Sequence, residues 1–439
     1  MLQTFRKAFQ IEDIRKKILY TLAMIFVVRL GSQLPTPGVN PTYIKQFFES
    51  VSGDTFNFFN AFTGGSFETM SIFALSITPY ITSSIIIQLL TIAIPKLEEM
   101  QKDGEDGRKK IATMTRYVTV ILALIESTAM AVGFGRQGLL VKYNFVNAAI
   151  VVLTLTAGSA FLMWVGERIT EKGVGNGISI VLLVNILSRV PNDLTGLYEQ
   201  FAKGKGLASG GLAAIIILAI ILVLVVFTII LQDGERRIPV QYSQKMQGRR
   251  TVGGQSTNIP LKVNTAGVIP VIFASSIMQF PIIIASFLGK GNGTGIGSEI
   301  LRGMNSGNWC NPSNPKYSIG LLVYIVLTIF FAYFYTSITF NPLEIANNMK
   351  KSGGFIPGIR PGKPTSDYLT KILNYIIFIG ACGLVIIQVI PFFFNGVFGA
   401  SVSFGGTSLI IIIGVVLETI KQIESQMLVR NYTGFLNNK

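Results

Sequence analysis

The sequence predicts an all-α membrane protein with ten transmembrane helices. Three observations predict it: a depleted charge content, ten apolar stretches of spanning length, and basic side chains that fall between alternate stretches. Half of the 439 residues are hydrophobic and only 13% are charged, where soluble domains carry about a quarter. Mean hydropathy is +0.53. A soluble chain of this length needs a polar surface, and these residues cannot make one, so lipid must be part of the solvent.

A membrane helix needs about 20 mostly apolar residues. The candidate spans cover roughly 18–34, 71–94, 115–134, 146–168, 177–190, 212–231, 265–288, 317–340, 369–391 and 405–425. The fifth is short. Pro79 and Pro270 fall inside spans, where they are expected to break helical hydrogen bonding locally. Arg6, Lys7, Arg15, Lys16 and Lys17 precede the first span and no small-residue cleavage site follows it, so it reads as an anchor rather than a removed signal peptide.

Ten spans put both termini on one side. On that side fall 27 of the 37 Lys and Arg residues, against 9 on the other and Arg29 within the first span. By the positive-inside rule the termini are cytoplasmic. One missed span would invert every later loop and scramble this bias.

Histidine is absent, which removes the usual metal ligand, general base and Ser-His-Asp triad. The two cysteines, Cys310 and Cys382, lie in a polar loop and an apolar span, a poor disulfide pair and no zinc site. No cofactor is expected. Gly173-Val174-Gly175-Asn176-Gly177 has the look of a phosphate loop, but no strand precedes it and no Lys-Ser/Thr pair follows. It reads instead as a tight hairpin between two membrane helices.

Two loops on the basic side stand out, about 232–264 and 341–368. The first carries Arg236, Arg237, Lys245, Arg249, Arg250 and Lys262, and charge alone leaves open a solvated stop-transfer patch or a docking surface. In the second, Lys350 to Gly362 (KKSGGFIPGIRPG) forms an irregular tip bearing Phe355 and Arg360, a shape that topology alone does not require. On the other side, segment 35–70 holds Phe56 to Phe62 (FNFFNAF) and then Gly64-Gly65, as for a short helix folded back into the membrane mouth. Glu126 and Glu418 sit within spans, where ionisable groups are costly.

Several of these stretches together resemble the SecY family, whose members form the channel of the bacterial protein translocon. The resemblance rests on Ser71 to Ile81 (SIFALSITPYI) with Ser83 to Leu90, on Gly166 to Thr170 with Gly175 to Ser179, on Leu261 to Pro270 with Ile272 to Ser276, and on Phe340-Asn341-Pro342 with the tip. It covers nearly the whole chain.

The resemblance implies two pseudo-symmetric five-helix halves, residues 1–190 and 191–439, closing as a clamshell around an hourglass pore. It implies a pore ring of Ile77, Ile81, Ile178, Leu182, Ile272 and Ile411, with Leu182 at a position where the family often has isoleucine. It implies a plug over about 56–70, with Phe62, Gly64 and Gly65, and a lateral gate near Thr82, Gln88, Glu126 and Phe280. Docking of a ribosome or the SecA motor ATPase falls to Arg236, Arg237, Lys245, Arg249, Arg250, Lys350, Lys351 and Arg360. Implied partners also include the small subunits SecE and SecG, signal-sequence-bearing polypeptides and membrane lipids. The expected function is a passive protein-conducting channel in the bacterial plasma membrane. A secondary transporter would need a dedicated charged or broken-helix midplane site. An intramembrane protease would need paired catalytic residues in facing spans.

Overall fold

The computed structural model describes residues 9–40, 42–43, 63–135, 138–201, 207–242, 245–247, 250–252, 256–287, 295–312, 314–398 and 406–436. In chain order the helices are α1 (Glu12–Gly31), α2 (Thr78–Ala93), α3 (Pro95–Lys102), α4 (Glu105–Gly133), α5 (Phe145–Lys172), α6 (Gly177–Phe201) and α7 (Leu207–Asp233). Strands β1 (Glu235–Tyr242), β2 (Lys245–Gln247), β3 (Arg250–Val252) and β4 (Ser256–Lys262) follow. Then come α8 (Ile269–Phe287), α9 (Ile296–Met304), α10 (Ile319–Thr339), α11 (Pro342–Lys351), β5 (Gly354–Phe355), α12 (Lys363–Phe398) and α13 (Gly406–Leu436). The chain is mostly helical, and the five strands are what the all-α expectation omitted.

Among the described residues seven helices are long and apolar enough to cross a membrane, and α2 with α3, taken across their sharp bend, makes an eighth. The first and seventh predicted spans fall on α1, which carries Glu12, Asp13 and Arg29, and on the shorter apolar α8. The two prolines do not interrupt helices. Pro79 lies in the first turn of α2 and Pro270 is the second residue of α8, where a missing N–H costs nothing because no intrahelical acceptor is due there. Residues 71–77 are turns instead of helix. The fifth span is longer than expected: α6 continues through Pro191 to Phe201, so a division at 190/191 falls inside it.

Hydroxyls join the helices of the first half. Ser83 of α2 meets Thr119 of α4 at 2.6 Å, and Ser127 of α4 meets Thr156 of α5 at 3.0 Å. Such small polar contacts suit a medium in which apolar burial alone gives helices no reason to associate.

The α5–α6 connection is the hairpin expected of its glycines. Gly175 has φ +81°, and the Asn176 carboxamide oxygen accepts from the backbone N–H groups of Ile178 and Ser179 to cap α6. The helices nearly touch at Gly177, where a Cβ would lie 2.0 Å from the carbonyl oxygen of Gly166. Gly177→Ala is therefore expected to cost about 1–3 kcal/mol through overpacking. A thermal unfolding scan of the solubilised chain reads this as a lowered Tm; an unchanged Tm would contradict the close approach.

One face gathers the ends of many helices. Ile14 near the start of α1, Val174 in the hairpin and Ile423 near the end of α13 pack together. Lys421 of α13 reaches Asp233 at the end of α7 (2.6 Å), and Arg116 of α4 pairs with Glu167 near the end of α5 (2.7 Å). The start of α1 and the later turns of α13 thus lie together.

On the same face β1 pairs antiparallel with β4 over seven residues, from Glu235 opposite Lys262 to Gln241 opposite Ser256. Its other edge takes β5, with Gln241 opposite Phe355. The sheet order β4-β1-β5 therefore stitches loop 232–264 to loop 341–368. Ile238 and Val240 point inward from β1 and join Leu261, Met349, Ile356, Leu369, Ile372 and Ile376 in one buried cluster. β2 and β3 pair antiparallel as a separate short hairpin.

Candidate functional site

Among the described residues the largest buried apolar cluster, mostly aliphatic, draws on both ends of the chain. Val28 of α1, Leu162, Val165 and Ile169 of α5, Ile180, Val181, Leu182 and Ile186 of α6, and Ile411 and Val415 of α13 are buried together, with Phe73 and Ile77 from the turns before α2. Of the six positions expected to form the ring, Ile77, Leu182 and Ile411 are inside this cluster, and Ile81 and Ile178 pack against it half-buried. Ile272 of α8 is half-buried and is not brought to it; Val268, one turn earlier, is. A contact made almost wholly of aliphatic side chains, between segments so distant in sequence, offers water little to hydrogen-bond to.

Beside this cluster sits the described part of the segment expected to form the plug, residues 63–70; Phe62 and the preceding residues from 44 lie outside the described ones. Gly64 has φ +66°, and a Cβ there would lie 2.9 Å from Cα of Asn185, so both conformation and space call for glycine. Gly65 also has positive φ, at +85°. The segment is clasped to α6. Arg189 Nη1 lies 3.0 Å from Glu68 Oε2 and Ser188 Oγ donates to the carbonyl oxygen of Gly64 at 3.5 Å, while just past the segment the Asn185 amide donates to Ser76 Oγ at 3.1 Å. Sequence reading missed this clasp, although a charged residue at the end of an apolar stretch was the available signal.

At the expected gate, α2 meets α8 and α10. Ile85 and Leu89 of α2 pack against a cluster of Phe273, Ala274 and Met278 from α8 and Tyr324 and Phe331 from α10. Thr82 is half-buried and Gln88 exposed on α2, and Glu126 is half-buried on α4. Phe280 lies within α8. These four positions are spread over three helices; the contact itself is made by aliphatic and aromatic neighbours.

The basic face is more ordered than its glycines suggested. Arg236 and Arg237 are exposed on β1, and Arg237 Nη2 pairs with Glu235 at 2.6 Å. Lys245 and Arg250 lie on β2 and β3; Arg249 lies outside the described residues. Asn341 caps α11 by accepting from the N–H groups of Leu343 and Glu344, and Lys350 and Lys351 sit in its last turn, where the helix dipole favours cations. The tip expected to be irregular is pinned at both ends. Phe355 is in the sheet, Ile356 is buried, and Thr365 Oγ1 donates to the carbonyl oxygen of Arg360 at 2.8 Å. Between these anchors the Arg360 side chain is exposed.

The SecY family model matches residues 71–420. The chain is 43% identical to the protein translocase subunit SecY of Corynebacterium glutamicum, over 98% of this chain and 99% of that protein. In fold it is similar to a solved structure on the SecY plug domain, described as stabilising the closed state of the translocation channel, with TM-score 0.65 and 17% identity over 94% of this chain and 92% of that one. It is also similar to Sec61 in the canine ribosome-channel complex, with TM-score 0.60 and 15% identity over the same shares.

Proposed function

The chain belongs to the SecY family, and from that premise we propose how its parts divide the work of a translocation channel. It is a multi-span membrane protein, a protein-conducting channel subunit and not an enzyme. Ten helices, α1, α2, α4 to α8, α10, α12 and α13, cross the membrane in two five-helix halves. The halves, near 1–190 and 191–439, form a clamshell around an hourglass pore. The termini and the sheet face the cytoplasm of a bacterial cell, as the basic loops favour.

The observation that carries this reading is the aliphatic cluster. A channel for polypeptides must admit a chain yet hold back ions. Aliphatic side chains meet both demands, because they exclude water when closed together and yield around a substrate. Ile77, Ile81, Ile178, Leu182 and Ile411, gathered in or against the cluster, form the constriction, and Ile272, which stands apart from it, completes the ring. Phe62, Gly64 and Gly65 belong to the plug that closes it, held by Arg189 and Ser188. Opening between α2 and α8 lets a membrane segment pass sideways into lipid, past Thr82, Gln88, Glu126 and Phe280.

The chain offers no nucleotide motif, so the work comes from a partner. SecA or a ribosome docks on Arg236, Arg237, Lys245, Arg249, Arg250, Lys350, Lys351 and Arg360. Ribosomal RNA is anionic, and basic loops give it a salt-sensitive attraction. SecE and SecG complete the complex, and signal-sequence-bearing polypeptides are its substrates. The test is reconstitution into vesicles with SecE, SecA and a presecretory protein. Protected polypeptide inside the vesicles is the expected result. Accumulation of a small solute with no polypeptide would overturn the reading in favour of a transporter.

A further inference from the structure

A cleft of about 420 Å³ opens between α10 and α12. Its walls are two stripes of the same spacing. Phe330, Tyr333, Phe334 and Ser337 line it from α10, and Thr370, Leu373, Asn374 and Ile377 from α12. Each set follows i, i+3, i+4, i+7, one face of a helix. The helices run in opposite directions, α10 toward the sheet and α12 away from it. Ser337 and Thr370 therefore share the mouth, and Phe330 and Ile377 the floor. The Tyr333 hydroxyl donates across to the carbonyl oxygen of Asn374 at 3.1 Å, which fixes this register.

The cleft has the dimensions and polarity of half a bilayer. From Phe330 to Phe340, which borders the mouth, ten residues of helical rise span about 15 Å, half of a hydrocarbon core of about 30 Å. The floor is apolar, while Ser337, Thr370 and Asn374 are exposed and polar. Beyond the mouth the charge is positive. Lys363 lies two turns before Thr370 on the same face of α12, Lys371 flanks it, and Lys350 and Lys351 end α11; all are exposed. Against these four cations stand the exposed acids Asp367 and Glu344.

We propose that this cleft is a binding site for one anionic phospholipid of the leaflet on the sheet side. An acyl chain lies along the two aromatic and aliphatic stripes. Its phosphate sits at the mouth, within reach of Lys363 and Lys371. Phe340 packs both into the cluster beneath the sheet and into the α10–α12 contact, so the bound chain buttresses the root of the loop that carries Arg360.

Native mass spectrometry of the full chain tests this, after incubation with equal amounts of phosphatidylglycerol and phosphatidylcholine. One retained phosphatidylglycerol is expected in preference to phosphatidylcholine. Ser337→Trp, which fills the mouth from an exposed position, should lower retention about tenfold, and Thr370→Trp on the opposite wall should do the same. Lys363→Gln with Lys371→Gln should keep a lipid but reduce the preference for phosphatidylglycerol about tenfold. Equal retention of the two lipids by the unaltered chain would overturn the proposal. So would retention unchanged by both tryptophan variants, or a photocrosslinker at Ser337 that captures a polypeptide in native membranes rather than lipid.

Discussion

Ile411→Asn is expected to raise ion leak through reconstituted vesicles severalfold or more. Ile411 is buried where α13 meets α5 and α6. The substitution removes aliphatic volume and sets a carboxamide among side chains that offer it no partner, a combined cost of about 3 kcal/mol. That cost falls on the closed arrangement, because an open, wetted constriction can hydrate the amide. The closed state is thus destabilised relative to the open one, and the dry barrier gains a group that holds water. An ion-flux assay with and without a membrane potential reads the leak. The same variant should pass polypeptides with defective signal sequences more readily. No change in either measurement would remove Ile411 from the constriction.

Arg360→Glu is expected to lower SecA- or ribosome-dependent translocation at least about tenfold, as inverting an interfacial charge replaces attraction with repulsion. The structure makes this a clean substitution. The tip is held by the Phe355 pairing, by burial of Ile356 and by the bond from Thr365 to the backbone carbonyl of residue 360. None of these uses the guanidinium. The fold and SecE assembly should survive, and the remaining ribosome binding should depend less steeply on salt. Normal translocation by the variant would exclude Arg360 from docking.

The helices were legible in the sequence because a bilayer imposes a length and a composition that few other segments share. The strands were not. Glu235 to Tyr242 and Ser256 to Lys262 each contain a proline, Pro239 and Pro260, and a proline argues against a strand. Both are tolerated for local reasons. β4 is an edge strand, and β5 pairs with β1 only at Gln241 and Tyr242, beyond Pro239. Charge patterning located the basic loops but could not reveal that they are joined. The proposed constriction could be assigned only through resemblance, since aliphatic residues that close a pore have the same periodicity as those that pack or face lipid. Even then the cluster is met by Val268, just ahead of α8 and one turn before the expected Ile272. The clasp between Arg189 and Glu68 pairs residues 121 apart, a separation that no local pattern encodes.

The sheet β4-β1-β5 has a mechanical consequence. β1 leaves α7, β4 leads toward α8, and β5 lies between α11 and α12. Two loops that could each bend on their own glycines are hydrogen-bonded into a single lever with four helices on its fulcrum. A push at the Arg360 tip is not absorbed as slack in one connection. It reaches all four helices together, and on the proposed docking this is the route by which a partner's push at the tip is passed to the membrane-spanning part.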